Sequence, residues 1–158
     1  MMGYMTYRVS LVCMGNICRS PMAEAVVRRT LDEHGLAGKV ALDSAGTGGW
    51  HVGSPMDERA AEVLSQHGYD GSPHRARQFD FDRYDLVLAM DRENLRALRR
   101  VVPAGTDLRL FRSFDPGAPE GAEVPDPYYG GRDGFEIVLG QVKAAAEGLA
   151  SYLADRLD

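Results

Sequence analysis

Val9-Ser10-Leu11-Val12-Cys13-Met14-Gly15-Asn16-Ile17-Cys18-Arg19-Ser20-Pro21-Met22 is the stretch that decides the fold. An apolar run ends at Cys13, and a helical pattern begins near Met22. The order is therefore strand, tight loop, helix N-terminus. Cys13 and Arg19 enclose five residues, and Ser20 follows at once. A loop of that length can curl around one tetrahedral anion with successive backbone N–H groups pointing inward. Gly15 and Asn16 are residue types that tolerate positive φ. Arg19 can grip two oxygens of the anion with its planar fork. Cys13 lies at the floor, facing the same donors. Helix N-termini and neighbouring cations favour a thiolate over a thiol. One helix dipole supplies only about 0.3–2 kcal/mol, so the loop amides, Arg19 and the Ser20 hydroxyl must act together.

Outward from this stretch, the chain alternates. Tyr7–Val12 reads as a short buried strand. A helix runs from near Met22, along Val26 and Leu31, to about His34, with Gly35 as its stop. Lys39–Leu42 gives a second strand, followed by the small-residue turn Ser44-Ala45-Gly46-Thr47-Gly48-Gly49. Ser54-Pro55 opens a second helix, with Asp57 placed to reach back to the cap. Leu86–Met90 is the most apolar strand, and Asp91 caps the helix that carries Leu95 and Leu98. Asp107–Phe111 is a fourth strand. Residues 112–132 form a Pro- and Gly-rich loop, and loops this long in a compact domain are usually functional or disordered. A final helix starts near Asp133. Alternation of this kind predicts an α/β fold: one domain over 1–158, a central four-stranded parallel sheet with helices on both faces, and an anion-binding loop after the first strand. Ligands bind beyond the carboxyl ends of such strands, where Cys13, Ser44, Asp91 and the long loop converge.

Composition limits the function classes. The 158 residues carry a formal net charge of −5, which argues against broad nucleic-acid or anionic-membrane binding and makes any anion site a local feature. Lys39 and Lys143 are the only lysines among 18 basic residues, which hints at a GC-rich bacterial source. Two cysteines, Cys13 and Cys18, make neither a disulfide scaffold nor a four-ligand zinc site. No metal or cofactor is expected. The start, with Met1, Met2 and Met5, lacks a secretory pattern, and no apolar run reaches membrane-spanning length. The expected location is the cytoplasm. Oligomeric state is not readable.

Beyond the loop, the residues alone leave alternatives. Tyr128, Tyr129, Trp50 and Ile17 can wall a deep slot, or stand half-exposed. Asp126, between Pro125 and Pro127, reads equally as a turn aspartate. Ser44 and His74 read as ordinary polar residues, Asp91 as a helix cap, and Cys18 as a small core residue. His34, His51 and His67 carry no functional signal.

Taken with Asp43-Ser44-Ala45-Gly46-Thr47, His74-Arg75-Ala76-Arg77-Gln78, Met90-Asp91 and Asp126-Pro127-Tyr128-Tyr129, the loop resembles that of the low-molecular-weight protein tyrosine phosphatases. The likeness spans nearly the whole chain in order. It implies that Cys13 attacks phosphorus to form a cysteinyl-phosphate and that Arg19 holds the equatorial oxygens. It implies that Asp126 protonates the leaving group and then serves as base. Met14, Gly15, Asn16, Ile17, Cys18 and Ser20 would bind the phosphate, and Trp50, Tyr128 and Tyr129 would shape the rim. The Asn16 side chain can hydrogen-bond across the loop and fix its backbone. Ser20 would donate to the Cys13 sulfur, Ser44 and His74 would support the loop, and Cys18 would form a reversible disulfide with Cys13. The implied partners are phosphotyrosine proteins. Thiol-dependent arsenate reduction needs two further downstream cysteines, which are missing. Phosphoarginine hydrolysis would favour a threonine where Ile17 stands and an altered Tyr pair. A binding module without turnover would have no use for both Cys13 and Asp126.

Overall fold

The computed structural model describes residues 6–157. The expected frayed start at Met1, Met2 and Met5 lies outside the described residues. One sheet forms the centre, with strands β1 (Tyr7–Cys13), β2 (Val40–Gly46), β3 (Leu86–Ala89) and β4 (Leu108–Leu110) in the order β2-β1-β3-β4. Every pairing is parallel, with Cys13 opposite Gly46 and Val12 opposite Ala89.

The period-two alternation of β1 and β3 explains why both faces are covered. Val9, Leu11 and Cys13 join Leu86, Leu88 and Met90 on one face. Helices α1 (Arg19–Glu33), α2 (Glu58–Gln66) and α4 (Arg132–Leu157) pack there, through Met22, Val26, Val63, Leu64, Val138 and Leu149. Val12, Val87 and Ala89 face the other way, onto Leu98 of α3 (Arg92–Arg99) and the ring of Tyr84. Three helices thus cover one face and one helix covers the other.

Element boundaries depart from the expectation where polar groups find distant partners. β2 continues through Ser44, Ala45 and Gly46, which were expected to turn. Its polar residues are satisfied: Asp43 accepts from the hydroxyls of Ser10 at 2.7 Å and Tyr84 at 2.5 Å. α1 begins three residues before Met22, so Pro21 is its third residue, where the backbone N–H would still lack a helical partner. β4 ends at Leu110 because Phe111–Phe114 winds into a short 3-10 turn. Val124, fully buried in the long loop, donates its N–H to the Met90 carbonyl at 2.8 Å and pins the loop over the strand ends.

Asp57 does not reach back to a cap at Ser54. It is itself the N-cap of α2, accepting from the N–H groups of Arg59 at 2.8 Å and Ala60 at 3.3 Å. Its own N–H donates to the Ile17 carbonyl at 2.8 Å, tying α2 to the β1–α1 loop. Asp57→Ala should lower unfolding free energy by about 1 kcal/mol, measured in urea at neutral pH. Burial raises the Asp57 carboxyl, but the Arg59 side chain and both backbone donors outweigh it and hold the carboxyl below its usual range. A depressed folded value means the stabilisation is present above the unfolded carboxylate value, about 3.9, and is lost as pH falls through the folded one. The Asp57→Ala deficit should therefore shrink in acid.

Candidate active site

The loop from Cys13 to Arg19 is shaped by where its carbonyls go. The Cys13 carbonyl accepts from Thr47 N–H at 2.9 Å, and that of Met14 from Gly48 N–H at 3.0 Å. The Asn16 carbonyl accepts from His74 Nε2 at 2.7 Å, which fixes the proton on that nitrogen. Ile17 accepts from Asp57 N–H at 2.8 Å, and Cys18 from Met22 N–H at 3.1 Å within the first turn of α1. Five carbonyls are thus engaged by groups outside the loop's interior. No peptide bond among the described residues is cis. A trans peptide points its N–H opposite to its C=O. The N–H groups of Met14, Gly15, Ile17, Cys18 and Arg19 therefore turn into the cup.

Cys13 lies at the bottom and is 2% exposed. Its Sγ accepts from Asn16 N–H at 3.3 Å and lies 3.0 Å from Ser20 Oγ. Arg19, 3% exposed, donates from Nη1 to Asp91 Oδ2 at 2.6 Å and to the Val124 carbonyl at 3.1 Å. Its Nη2 lies 3.8 Å from Asp126 Oδ2. Burial works against the guanidinium charge, but Cys13, Asp91 and Asp126 more than offset it, and Arg19 is held protonated. Burial pushes the Cys18 thiol up, and Asp57, Cys13 and Asp126 add to the effect. Both cysteines are free, and Cys18 is held as the neutral thiol.

Above Cys13 opens a slot of about 290 Å³, lined by the loop with His51, Asp126, Tyr128 and Tyr129. Asp126 Oδ1 accepts from Tyr128 N–H at 3.1 Å, which turns the carboxylate and the ring toward the same opening. The two tyrosine rings meet edge to face at 5.0 Å between centroids, and Arg59 lies over the Tyr128 ring at 5.3 Å.

Residues 8–157 match the family model described as low molecular weight phosphotyrosine protein phosphatase. The chain belongs to this family. A Streptomyces coelicolor low molecular weight protein-tyrosine-phosphatase is 54% identical over 98% of each chain. The crystal structure of an Entamoeba histolytica protein tyrosine phosphatase superposes with a TM-score of 0.90 at 35% identity, covering 97% of this chain and 100% of that one. The structure of a Drosophila arginine phosphatase superposes at 0.83 with 32% identity, covering 92% and 96%.

Set in this phosphatase family, several residues stand elsewhere than the sequence led one to expect. Trp50 does not line the slot. It is 73% exposed, and its ring folds back over Gly48, where a Cβ would lie 1.8 Å from the ring. His51, which carried no signal, takes the wall position beside Gly15. Gly15 does not have positive φ; a Cβ there would meet His51 Cδ2 at 3.0 Å, so the imidazole would have to give by a few tenths of an ångström. Only Asn16 of the loop has positive φ, at 59°. Asn16 and Ser20 are fully buried, with the Asn16 side chain bonding across the loop and Ser20 Oγ beside the Cys13 sulfur. Asn16 donates from Nδ2 to Ser20 Oγ at 2.7 Å and to Ser44 Oγ at 3.0 Å, so Ser44 and His74 both meet Asn16. Asp91 does cap α3, through Asn94 N–H at 2.8 Å, and in addition holds Arg19. The available signal was its place after a strand end, on the rim shared with Cys13. Among the described residues, no three His, Cys, Asp or Glu side chains gather as a metal-holding group, and no helix is long and apolar enough to cross a membrane.

Proposed function

We propose that this chain hydrolyses protein phosphotyrosine and small aryl phosphates through a cysteinyl-phosphate intermediate. The observation that carries the reading is the outward fixing of five loop carbonyls, which leaves a cup of N–H donors above a sulfur nucleophile. Phosphoryl transfer has a loose transition state, so positioning and charge stabilisation dominate. The ester's three equatorial oxygens take the loop N–H groups and the Arg19 fork. The Cys13 thiolate attacks phosphorus in line and the P–O(aryl) bond breaks. Asp126, on the slot wall, gives its proton to the departing phenolate. It then takes a proton from the water that attacks the phosphocysteine, releasing phosphate and restoring the thiolate. Ser20, 3.0 Å from the sulfur, donates to it both as nucleophile and as leaving group.

An arginine phosphatase shares this fold, so the fold alone does not select the ester. The walls argue for an aryl group: Ile17 and Tyr128 face the slot, while Tyr129, 92% exposed, stands at its mouth. A phosphoserine ester is too short to cross it. A nucleophile that must stay reduced, beside a free Cys18, suits the cytoplasm.

The test is p-nitrophenyl phosphate with the purified chain. Phenol release that survives EDTA and is competitively inhibited by vanadate is expected. Phosphate binding without turnover would reduce the chain to a binding module. Loss of activity in EDTA would show that the loop donors do not supply the needed charge.

A further inference from the structure

We propose that Glu24, on the outer side of α1, is a positioning residue that sets the direction of the hydrogen bonds reaching Cys13. This rests on the catalytic reading of Cys13 above. Asn16 Oδ1 accepts the backbone N–H of Arg77 at 2.9 Å. A backbone N–H only donates, so the amide cannot be flipped, and Nδ2 faces the two serines. Its two hydrogens have two partners, Ser20 Oγ and Ser44 Oγ. Each hydroxyl therefore turns a lone pair to Asn16 and has one proton to place elsewhere.

Ser44 places its proton on Glu24 Oε1, at 2.6 Å. Ser44 is 3% exposed, and Glu24 is the acceptor it reaches. The second Glu24 oxygen is occupied by Arg28 Nη2 at 2.5 Å, and Arg28 is held in turn by the Leu42 carbonyl at 3.2 Å. Ser20 has two places for its proton, the Ala45 carbonyl at 3.4 Å and the Cys13 sulfur at 3.0 Å. The first is a long bond between neutral groups; the second is within ordinary reach of a sulfur acceptor. The chain thus runs one way on each side of Asn16: through Ser44 to Glu24, and through Ser20 to Cys13. An ionised carboxylate only accepts, so Glu24 keeps the Ser44 proton away from Asn16. With no acceptor at that place, the Ser44 hydroxyl is free to turn, and Asn16 loses one of the bonds that hold it at positive φ against Ser20. Glu24 also lines an open cavity of about 820 Å³ behind the loop, with Ser44, His74 and Arg77. Water there can compete for the Ser44 proton once the carboxylate is gone.

The experiment works in an Arg28→Ala background, which removes the ion pair from the comparison. Glu24→Leu should lower kcat about tenfold, as loss of an outer partner does, and leave KM within about twofold of the background. Glu24→Gln, whose oxygen is then free to face Ser44, should regain most of that loss. The Asn16 side-chain amide protons, read by NMR, should shift in the leucine variant and return in the glutamine variant. A purely packing role predicts that Leu and Gln behave alike. Equal kcat for the two, or a leucine variant as fast as its background, would overturn the proposal; Glu24→Ala serves in place of leucine if that chain folds poorly. If the native chain itself hydrolyses no aryl phosphate, it is the catalytic reading that fails, and the amide resonances still report on the hydrogen-bond direction.

Discussion

Cys13→Ser is expected to abolish turnover of aryl phosphates while leaving phosphate and vanadate binding in place. Loss of a nucleophile held in a working constellation costs on the order of 10⁶-fold in kcat. Here the loss should be near that limit, because the surroundings serve sulfur specifically. Asn16 N–H and Ser20 Oγ sit 3.3 and 3.0 Å from Sγ, distances suited to a large, soft anion. A serine hydroxyl is shorter and remains protonated, and no base lies beside it to take the proton: the hydrogen-bonding neighbours are a backbone N–H and another hydroxyl. The binding half of the site does not depend on the sulfur. Arg19 is held by Asp91 and Val124, and the loop carbonyls are held by Thr47, Gly48, His74 and Asp57. The variant should therefore retain phosphotyrosine proteins from a lysate, and free vanadate should release them. Residual phenol production above about a thousandth of the native rate would mean that another group attacks phosphorus.

The parts of this site that were legible in the sequence are local ones. A strand, five residues, an arginine and a helix start fix the cup, since its geometry follows from neighbours in the chain. The apolar run Val9–Val12 marked β1 as a buried strand, while the division of its side chains between a larger face (Val9, Leu11, Cys13) and a smaller one (Val12) comes from the structure. What was not legible depends on partners far along the chain. Nothing near Asp43 and Ser44 shows that Ser10, Tyr84, Asn16 and Glu24 will satisfy them, so the strand was ended too early. Nothing near Asp91 shows that a guanidinium 72 positions away will use its second oxygen. The exchange of Trp50 for His51 in the slot wall turns on one ring folding over Gly48, a choice between adjacent side chains that composition does not reveal. That the Asn16 side chain could bond across the loop was legible from its type and place; that its partners are Ser20, Ser44 and the Arg77 N–H was not, since two of the three lie far along the chain.

Two carboxylates reach Arg19, and the choice between them decides the second large effect. Asp91 has both oxygens committed, Oδ2 to Arg19 at 2.6 Å and Oδ1 to Asn94 N–H at 2.8 Å, and it is not among the residues lining the slot. Asp126 lines the slot with one oxygen on Tyr128 N–H and the other 3.8 Å from Arg19, which leaves that second oxygen room to carry a proton. Asp126→Ala should then lower kcat about 10²–10⁴-fold, the usual worth of a positioned acid–base group. The size of the loss should depend on the ester. A p-nitrophenolate leaves without much help, whereas a phenolate or a tyrosine needs the proton, so single-turnover release should slow most for the least acidic phenols. Alkylation of Cys13 by iodoacetate should proceed as in the native chain, because Ser20, Asn16 N–H and Arg19 are untouched by the change. Asp91→Ala should behave differently: freed from its 2.6 Å bond, Arg19 loses its fixed aim, and vanadate binding should weaken along with kcat. Equal rates for native and Asp126→Ala chains on phenyl phosphate would remove Asp126 from the mechanism. A loss of vanadate affinity in Asp126→Ala as large as that in Asp91→Ala would instead make it a second support for Arg19.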